Sequence, residues 1–126
     1  MPLAYLPDAT RQRVIITLTG VVPVEQVIAM LDLQVSDGTW AWSVLYDGSQ
    51  RTAAFSSAEI HRFAAAANNL ATRQGPRGPV AIVRPTDLGY GTARMFSMLS
   101  DKHAVAVQVF RDLASAEHWL DTFTSV

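Results

Sequence analysis

The chain has 126 residues, the length of one ordinary domain, and with 49% hydrophobic against 17% charged residues it has the composition of a packed globule, not of a disordered or fibrous chain. Ten basic and eleven acidic residues leave a net charge of −1, and Lys102 is the one lysine, so the electrostatic footprint of a nucleic-acid binder is missing. Zero cysteines exclude disulfides, thiolate metal sites and thiol nucleophiles, and no apolar run exceeds five residues, so no membrane span is expected.

Met1 to Asp8 lacks basic residues and carries Pro2 and Pro7, unlike a signal peptide, and a cytoplasmic location is the expectation. Leu3 to Leu6 reads as a short strand and Pro7 to Gln12 as the turn of a hairpin. Arg13 to Gly20 (RVIITLTG) is β-branched and ends on glycine, the pattern of a strand. From Val24, Val27, Ile28, Leu31 and Val35 recur at spacings of three and four, with Pro23 suited to a first helical position and Asp37-Gly38 to a stop. Trp40 to Tyr46 (WAWSVLY) predicts a strand with Trp40, Trp42, Val44 and Tyr46 on one face. After a loop over Asp47 to Phe55, Ser56 and Glu59 have the spacing of a capping box. The helix they start has Ile60, Phe63, Ala64, Ala67, Leu70 and Ala71 on its inward face and stops at Gly75-Pro76-Arg77-Gly78-Pro79. Val80 to Val83 is wholly apolar, the mark of a strand buried on both faces. Thr86 or Asp87 caps the next helix, with Leu88, Thr92, Met95 and Leu99 expected inward. Ala104 to Phe110 is the last strand, Asp112 the next cap, and Leu113, Ala116, Leu120 and Phe123 the inward face of the last helix. Strands alternating with helices predict an α/β fold: about five strands in a mostly parallel sheet with four helices on its faces.

Four segments, WSVLYDG at 42–48, GPVAIVRP at 78–85, DLGYGTARMF at 87–96 and VFRDLASAEHWL at 109–120, resemble the bacterial SpoIIAA-like family. Its fold is shared by STAS domains, the anti-sigma-factor antagonists. The likeness covers Arg13 to Leu120, and Gly89-Tyr90-Gly91 followed by Ala93, Arg94 and Met95 is its most specific part, because helix formation does not ask for two glycines. It implies one SpoIIAA-like domain over 1–126, acting without catalysis or cofactor as a regulatory or protein-interaction module. The fold is also compared with lipid carriers of the CRAL-TRIO type, which implies a second reading, a carrier or sensor of a small apolar or acidic ligand. In the antagonists a serine at the start of the helix after the third strand is phosphorylated. The matching place here is Phe55-Ser56-Ser57-Ala58-Glu59, with Phe55 and Ala58 where the family pattern has aspartate and glycine. Ser56 and Ser57 are thus candidates for phosphorylation, and capping is the plain alternative for Ser56.

Ligands of open parallel sheets bind at the carboxyl ends of the strands. That edge should hold Asp47 and Arg51, then Arg84, Thr86 and Asp87, then Arg111 and Asp112. Three arginines beside helix N-termini could hold a phosphate or carboxylate. Alternatively, three aspartates neutralise them in loop-to-loop pairs. Tyr90 and Arg94 are interface-like residue types placed opposite the expected inward stripe, and Met30 and Leu33 lie off the stripe of the first helix. Together they make a homodimer through apolar helix surface the expectation, with ordinary solvated faces as the alternative. Trp40 and Trp42 could line a carrier pocket or be core. His61, His103 and His118 do not converge in this reading, so neither a metal site nor a hydrolytic triad is expected.

Overall fold

In a computed structural model, which describes residues 2–51 and 53–123, a β-hairpin leads into three strand-helix-strand crossovers. The elements are β1 (Leu3–Asp8), β2 (Arg13–Leu18), α1 (Val24–Asp37), β3 (Ser43–Asp47), α2 (Ser57–Gln74), β4 (Val80–Val83), α3 (Asp87–Leu99), β5 (Val107–Phe110) and α4 (Leu113–Asp121). The five strands lie side by side in chain order, β1 antiparallel to β2 and the others parallel, so the fold is α/β with a mixed, mostly parallel sheet. No helix among the described residues is long and apolar enough to cross a membrane.

Each crossover advances by one strand in the same direction, and a constant right-handed sense therefore puts α1, α2 and α3 on one face. There α2 packs between α1 and α3, while α4, which follows the last strand, lies against β3, β4 and β5 on the other face. The three-helix face buries Val14, Ile16, Leu18, Val44, Tyr46 and Val80 against Leu31, Phe63 and Phe96. The α4 face buries Leu45, Ala81 and Val83 against Ala116 and Leu120. Strands covered on both sides explain the near-continuous apolar runs of β3 and β4. Asp121 at the end of α4 accepts a 2.8 Å hydrogen bond from Nη2 of Arg13, a residue only 2% exposed, and this pair ties α4 to the start of β2.

Several local expectations are corrected. Residues 40–42 form a turn and β3 begins at Ser43, so Trp40 and Trp42 do not share a strand face with Val44 and Tyr46. The backbone at 78 passes close to this turn: a Cβ on Gly78 would collide with the Trp42 carbonyl oxygen, so glycine there lets β4 enter beside it. Trp40 is core, its Nε1 donating to the Gly75 carbonyl at 2.9 Å. Pro23 occupies the N-cap of α1, one place earlier than expected, and the helix ends at Gly38 with φ 74°, a left-handed conformation that favours glycine. The buried line of α1 is Val24, Val27, Leu31 and Gln34, with Ile28 and Val35 at its margins. On α3 the inward residues are Gly89, Ala93 and Phe96, not Leu88, which is 70% exposed. Met95 and Leu99 pack sideways towards the core, and two small inward residues bring the helix close to the sheet. On α4, Ala116 and Leu120 are buried while Leu113 and Phe123 stay exposed, because this short helix covers only part of its face. The last strand starts at Val107, three residues later than Ala104.

Candidate functional site

Parallel pairing sets Asp47 beside Val83 and Val83 beside Phe110, so the chain leaves β3, β4 and β5 at one edge. Asp47, Arg84 and Arg111 all emerge there. Two of the three carboxylates at this edge are taken by their own loops. Asp47 accepts from the backbone N–H of Ser49 at 3.0 Å and its hydroxyl at 2.6 Å, a turn that starts the β3–α2 loop. Asp112 caps α4, accepting from the Ser115 N–H at 2.7 Å and its hydroxyl at 3.0 Å; these bonds hold its carboxyl below the ordinary aspartate value. Thr86 caps α3 by accepting from the Gly89 N–H at 3.1 Å. Only Asp87 pairs with an edge arginine, Arg111, at 2.7 Å; that guanidinium also donates to the Pro85 carbonyl and stacks 4.2 Å over Tyr90. The expected three neutral pairs therefore reduce to one.

Arg51 and Arg84 are left over. Both are buried, 5% and 6% exposed, and among the described residues neither has a carboxylate within 4 Å. The Arg84 side chain folds back along the edge into a slot made by two glycines. A Cβ on Gly48 would come within 2.6 Å of its Cδ, and one on Gly89 within 2.7 Å of its Cζ and Nη2. Its Nη2 donates to the Ala53 carbonyl at 2.8 Å. Arg51 sits in the β3–α2 loop, its N–H bonded to the Gly48 carbonyl at 3.1 Å and its guanidinium 4.0 Å over the Phe55 ring. The Nε of each is buried without a hydrogen-bond partner. Burial pushes both guanidiniums below the ordinary arginine value, and for Arg51 the neighbouring charge of Arg84 adds to the effect while Glu59 opposes it.

Behind the two arginines lies a cavity of about 60 Å³ whose wall is otherwise mostly hydrocarbon, from Leu18, Val27, Ile60, Phe63, Ile82 and Phe96. Tyr46 and Thr92 also line it, but the Tyr46 hydroxyl accepts from Arg77 at 2.8 Å and the Thr92 hydroxyl donates to the Gly89 carbonyl at 3.0 Å. The site is thus an apolar recess flanked by two cations that no carboxylate among the described residues pairs. No family model, curated protein or solved structure matches this chain.

The remaining sequence candidates lie elsewhere. Ser56 caps α2: its hydroxyl accepts from the Glu59 N–H at 3.2 Å while Glu59 Oε1 accepts from the Ser56 N–H at 2.8 Å, the full capping box. Ser57 is the first helical residue, exposed, with its hydroxyl 3.6 Å from the Met95 sulfur. Met30 and Leu33, both half-buried, are on α1, and Tyr90 and Arg94 on α3, with α2 between the two helices. Tyr90 is engaged by Arg111 and Arg94 is exposed. His61, His103 and His118 are exposed on separate elements, and the described residues contain no cluster of three or more metal-ligating side chains.

Sequence reasoning missed the cavity and the burial of Arg77, which it read only as part of a helix stop. Arg77 is 6% exposed at the opposite edge and donates from Nη2 to Gln34 Oε1 at 3.0 Å and to the Tyr46 hydroxyl, between the rings of Trp40 and Tyr46. One signal for the cavity was present: the unexplained glycines of α3, of which Gly89 makes room for Arg84, while Gly91 faces open space.

Proposed function

We propose that this domain is a binding module of regulatory type whose input is a small organic anion, held by Arg51 and Arg84 at the carboxyl edge of the sheet. The observation that carries this reading is the pair of buried guanidiniums with unpaired Nε donors beside an apolar cavity. A buried donor without a partner costs about 1–3 kcal/mol, more when it is charged, and two like charges side by side add to that. An oxyanion beside the pair relieves the repulsion, and the outer arginine N–H groups match carboxylate and phosphate oxygens in plane. Guanidiniums stay protonated and donate hydrogen bonds; they suit holding an anion better than exchanging protons with one.

The regulatory part of the proposal rests on the resemblance to SpoIIAA-like and STAS domains and on where the loop leads. Arg51, Ala53 and Phe55 lie in the segment that runs directly into the capping box of α2, so a ligand that fixes Arg51 and Arg84 also fixes the entry to that helix. Thermal unfolding in a panel of oxyanions at constant ionic strength, with chloride as the reference, tests the binding. A ligand at one hundred times its dissociation constant stabilises by about 2.7 kcal/mol, at roughly 3–5 °C per kcal/mol for a domain of this size. The Arg51→Gln variant should lose that response. A parent indifferent to every oxyanion, or a variant that responds as the parent does, overturns the reading.

A further inference from the structure

We propose that the outer face of α3 is a self-association surface, on which a second copy of this chain crosses antiparallel at Gly91 about a two-fold axis. This is independent of the anion site.

The face combines exposed apolar side chains with a gap. At about 100° per residue, Asp87, Gly91, Arg94 and Met98 fall in one line on α3, opposite the buried Gly89, Ala93 and Phe96. Leu88 and Met95 run beside that line on the side of α2, where the Met95 sulfur meets the Ser57 hydroxyl at 3.6 Å. Leu88 is 70% and Met98 73% exposed. Single exposed apolar residues are ordinary, but these two bracket a glycine. Glycine weakens a helix interior, and packing within the chain does not require it at 91, since a Cβ there would meet nothing within 4 Å. Between protruding side chains it leaves a gap into which a second helix can come close.

The pattern around Gly91 selects a second copy as the occupant. A two-fold axis through Gly91, perpendicular to the helix, sets each position before 91 against the position equally far after it in the other chain, and lays like sides of the two helices together. Asp87 of one copy then lies against Arg94 of the other, and Leu88 against Met95, each one residue from direct opposition and each occurring twice. Acid meets base along one side of the crossing and apolar meets apolar along the other. Both charges are accessible: the Asp87 side chain is 96% exposed although it pairs with Arg111, and Arg94 is exposed with no carboxylate within 4 Å among the described residues. A parallel crossing would set Asp87 on Asp87 and Arg94 on Arg94, which is unfavourable. The net charge of −1 adds little repulsion between copies. The same rotation lays α2, which packs beside α3, over α2 of the second copy, so two helices of each chain take part. One helix face alone falls short of the roughly 800 Å² per chain of a standard interface.

Sedimentation equilibrium of the full chain, from micromolar to submillimolar concentration, tests the contact. The parent should show a monomer–dimer equilibrium. Gly91→Gln, whose side chain has open space in the monomer, should weaken the dimer at least tenfold. Arg94→Glu turns both charged contacts into acid against acid, and Asp87→Lys turns them into base against base, so each variant alone should sediment as a monomer. An equimolar mixture of the two should form a mixed dimer, because both contacts then join opposite charges again. A parent that stays monomeric throughout overturns the proposal. A dimer that persists unchanged in Gly91→Gln and in both charge variants overturns it too, since the contact then lies elsewhere. A mixture of the folded charge variants that stays monomeric overturns the antiparallel pairing of Asp87 with Arg94. The parent and Gly91→Gln decide the case even if Asp87→Lys, which loses the bond to Arg111, fails to fold.

Discussion

Two glycines two positions apart on α3 differ in what they face, and their replacement by alanine isolates the packing of Arg84. Gly91 faces open space, so Gly91→Ala removes the conformational cost of a helical glycine without a clash. The gain is about 0.8–1 kcal/mol, roughly 3–5 °C in melting temperature for a domain of this length. Gly89→Ala offers at most the same helical gain, but its new Cβ meets the Arg84 guanidinium at 2.7 Å, and the side chain is held from the other side by Ala53 and by Gly48. Displacing it breaks a hydrogen bond made by a charged group, about 1.5–3 kcal/mol, and the net effect is a loss of roughly 0.5–2 kcal/mol. Urea denaturation measures both, with an unchanged slope showing that only stability has moved. Gly89→Ala should also weaken the response to oxyanions while Gly91→Ala keeps it. If the two variants stabilise equally, the Arg84 guanidinium does not lie under the first turn of α3, and the site as described is wrong.

Three further outcomes follow from the same contacts. Arg51→Met should raise the stability of the ligand-free protein by about 1 kcal/mol or more, since it replaces a buried unpaired charge with an apolar chain, and a fall in the urea midpoint would show that the stacking on Phe55 outweighs the charge. Ser56→Ala should lower stability by about 1 kcal/mol through loss of the hydroxyl that accepts from the Glu59 N–H, while the backbone N–H at 56 keeps its bond to Glu59; an unchanged midpoint would contradict the cap. Glu25, Asp112 and Asp121 are each held below the ordinary carboxylate value, Glu25 by a backbone hydrogen bond and Arg62, Asp112 by Ser115, and Asp121 by the bond from Arg13. Their contribution is therefore present in full above about pH 4–5 and is lost as pH falls through their lowered values. Stability measured from pH 5 down to pH 2.5 should decline, less steeply in Asp121→Asn, and a flat profile would refute the assignment.

The sheet and its helices were legible because each element carries its own period and punctuation: the β-branched run of β2, the capping box at Ser56 and Glu59, the glycine after α1. Errors arose where an inward position is small or polar. Gly89 and Ala93 gave no apolar signal on α3, so the stripe was read from Leu88; Gln34 on α1 was passed over because its partner, Arg77, lies 43 residues away. The set of residues at the carboxyl edge was readable from strand order, but the pairing of charges was not. Local bonds won: Asp47 turned to Ser49 and Asp112 to Ser115, two and three residues on, where little chain has to be ordered to make the contact.

Burial of an arginine is not in itself a sign of a site, and the contrasts within this chain show what is. Arg13 is as buried as any, yet it meets the carboxylate of Asp121 and ties α4 to the sheet. Arg77 has no carboxylate but bonds to the side chain of Gln34 in the last turn of α1, at the negative end of that helix, and to the Tyr46 hydroxyl, with the Trp40 ring centroid 5.3 Å from its guanidinium carbon. Arg84 has the reverse setting: it lies against Gly89 in the first turn of α3, at the positive end of a helix, with Arg51 as its charged neighbour. Arg13 and Arg77 also keep buried nitrogens without a partner, Nη1 of Arg13 and Nε and Nη1 of Arg77, so an unmet donor alone does not mark a site. What differs is that the first two meet a carboxylate, or an amide oxygen and aromatic rings, while Arg84 meets a second cation. That third environment is also the one that opens on a cavity, and this coincidence of unmet charge and unfilled space sets Arg51 and Arg84 apart from the structural arginines.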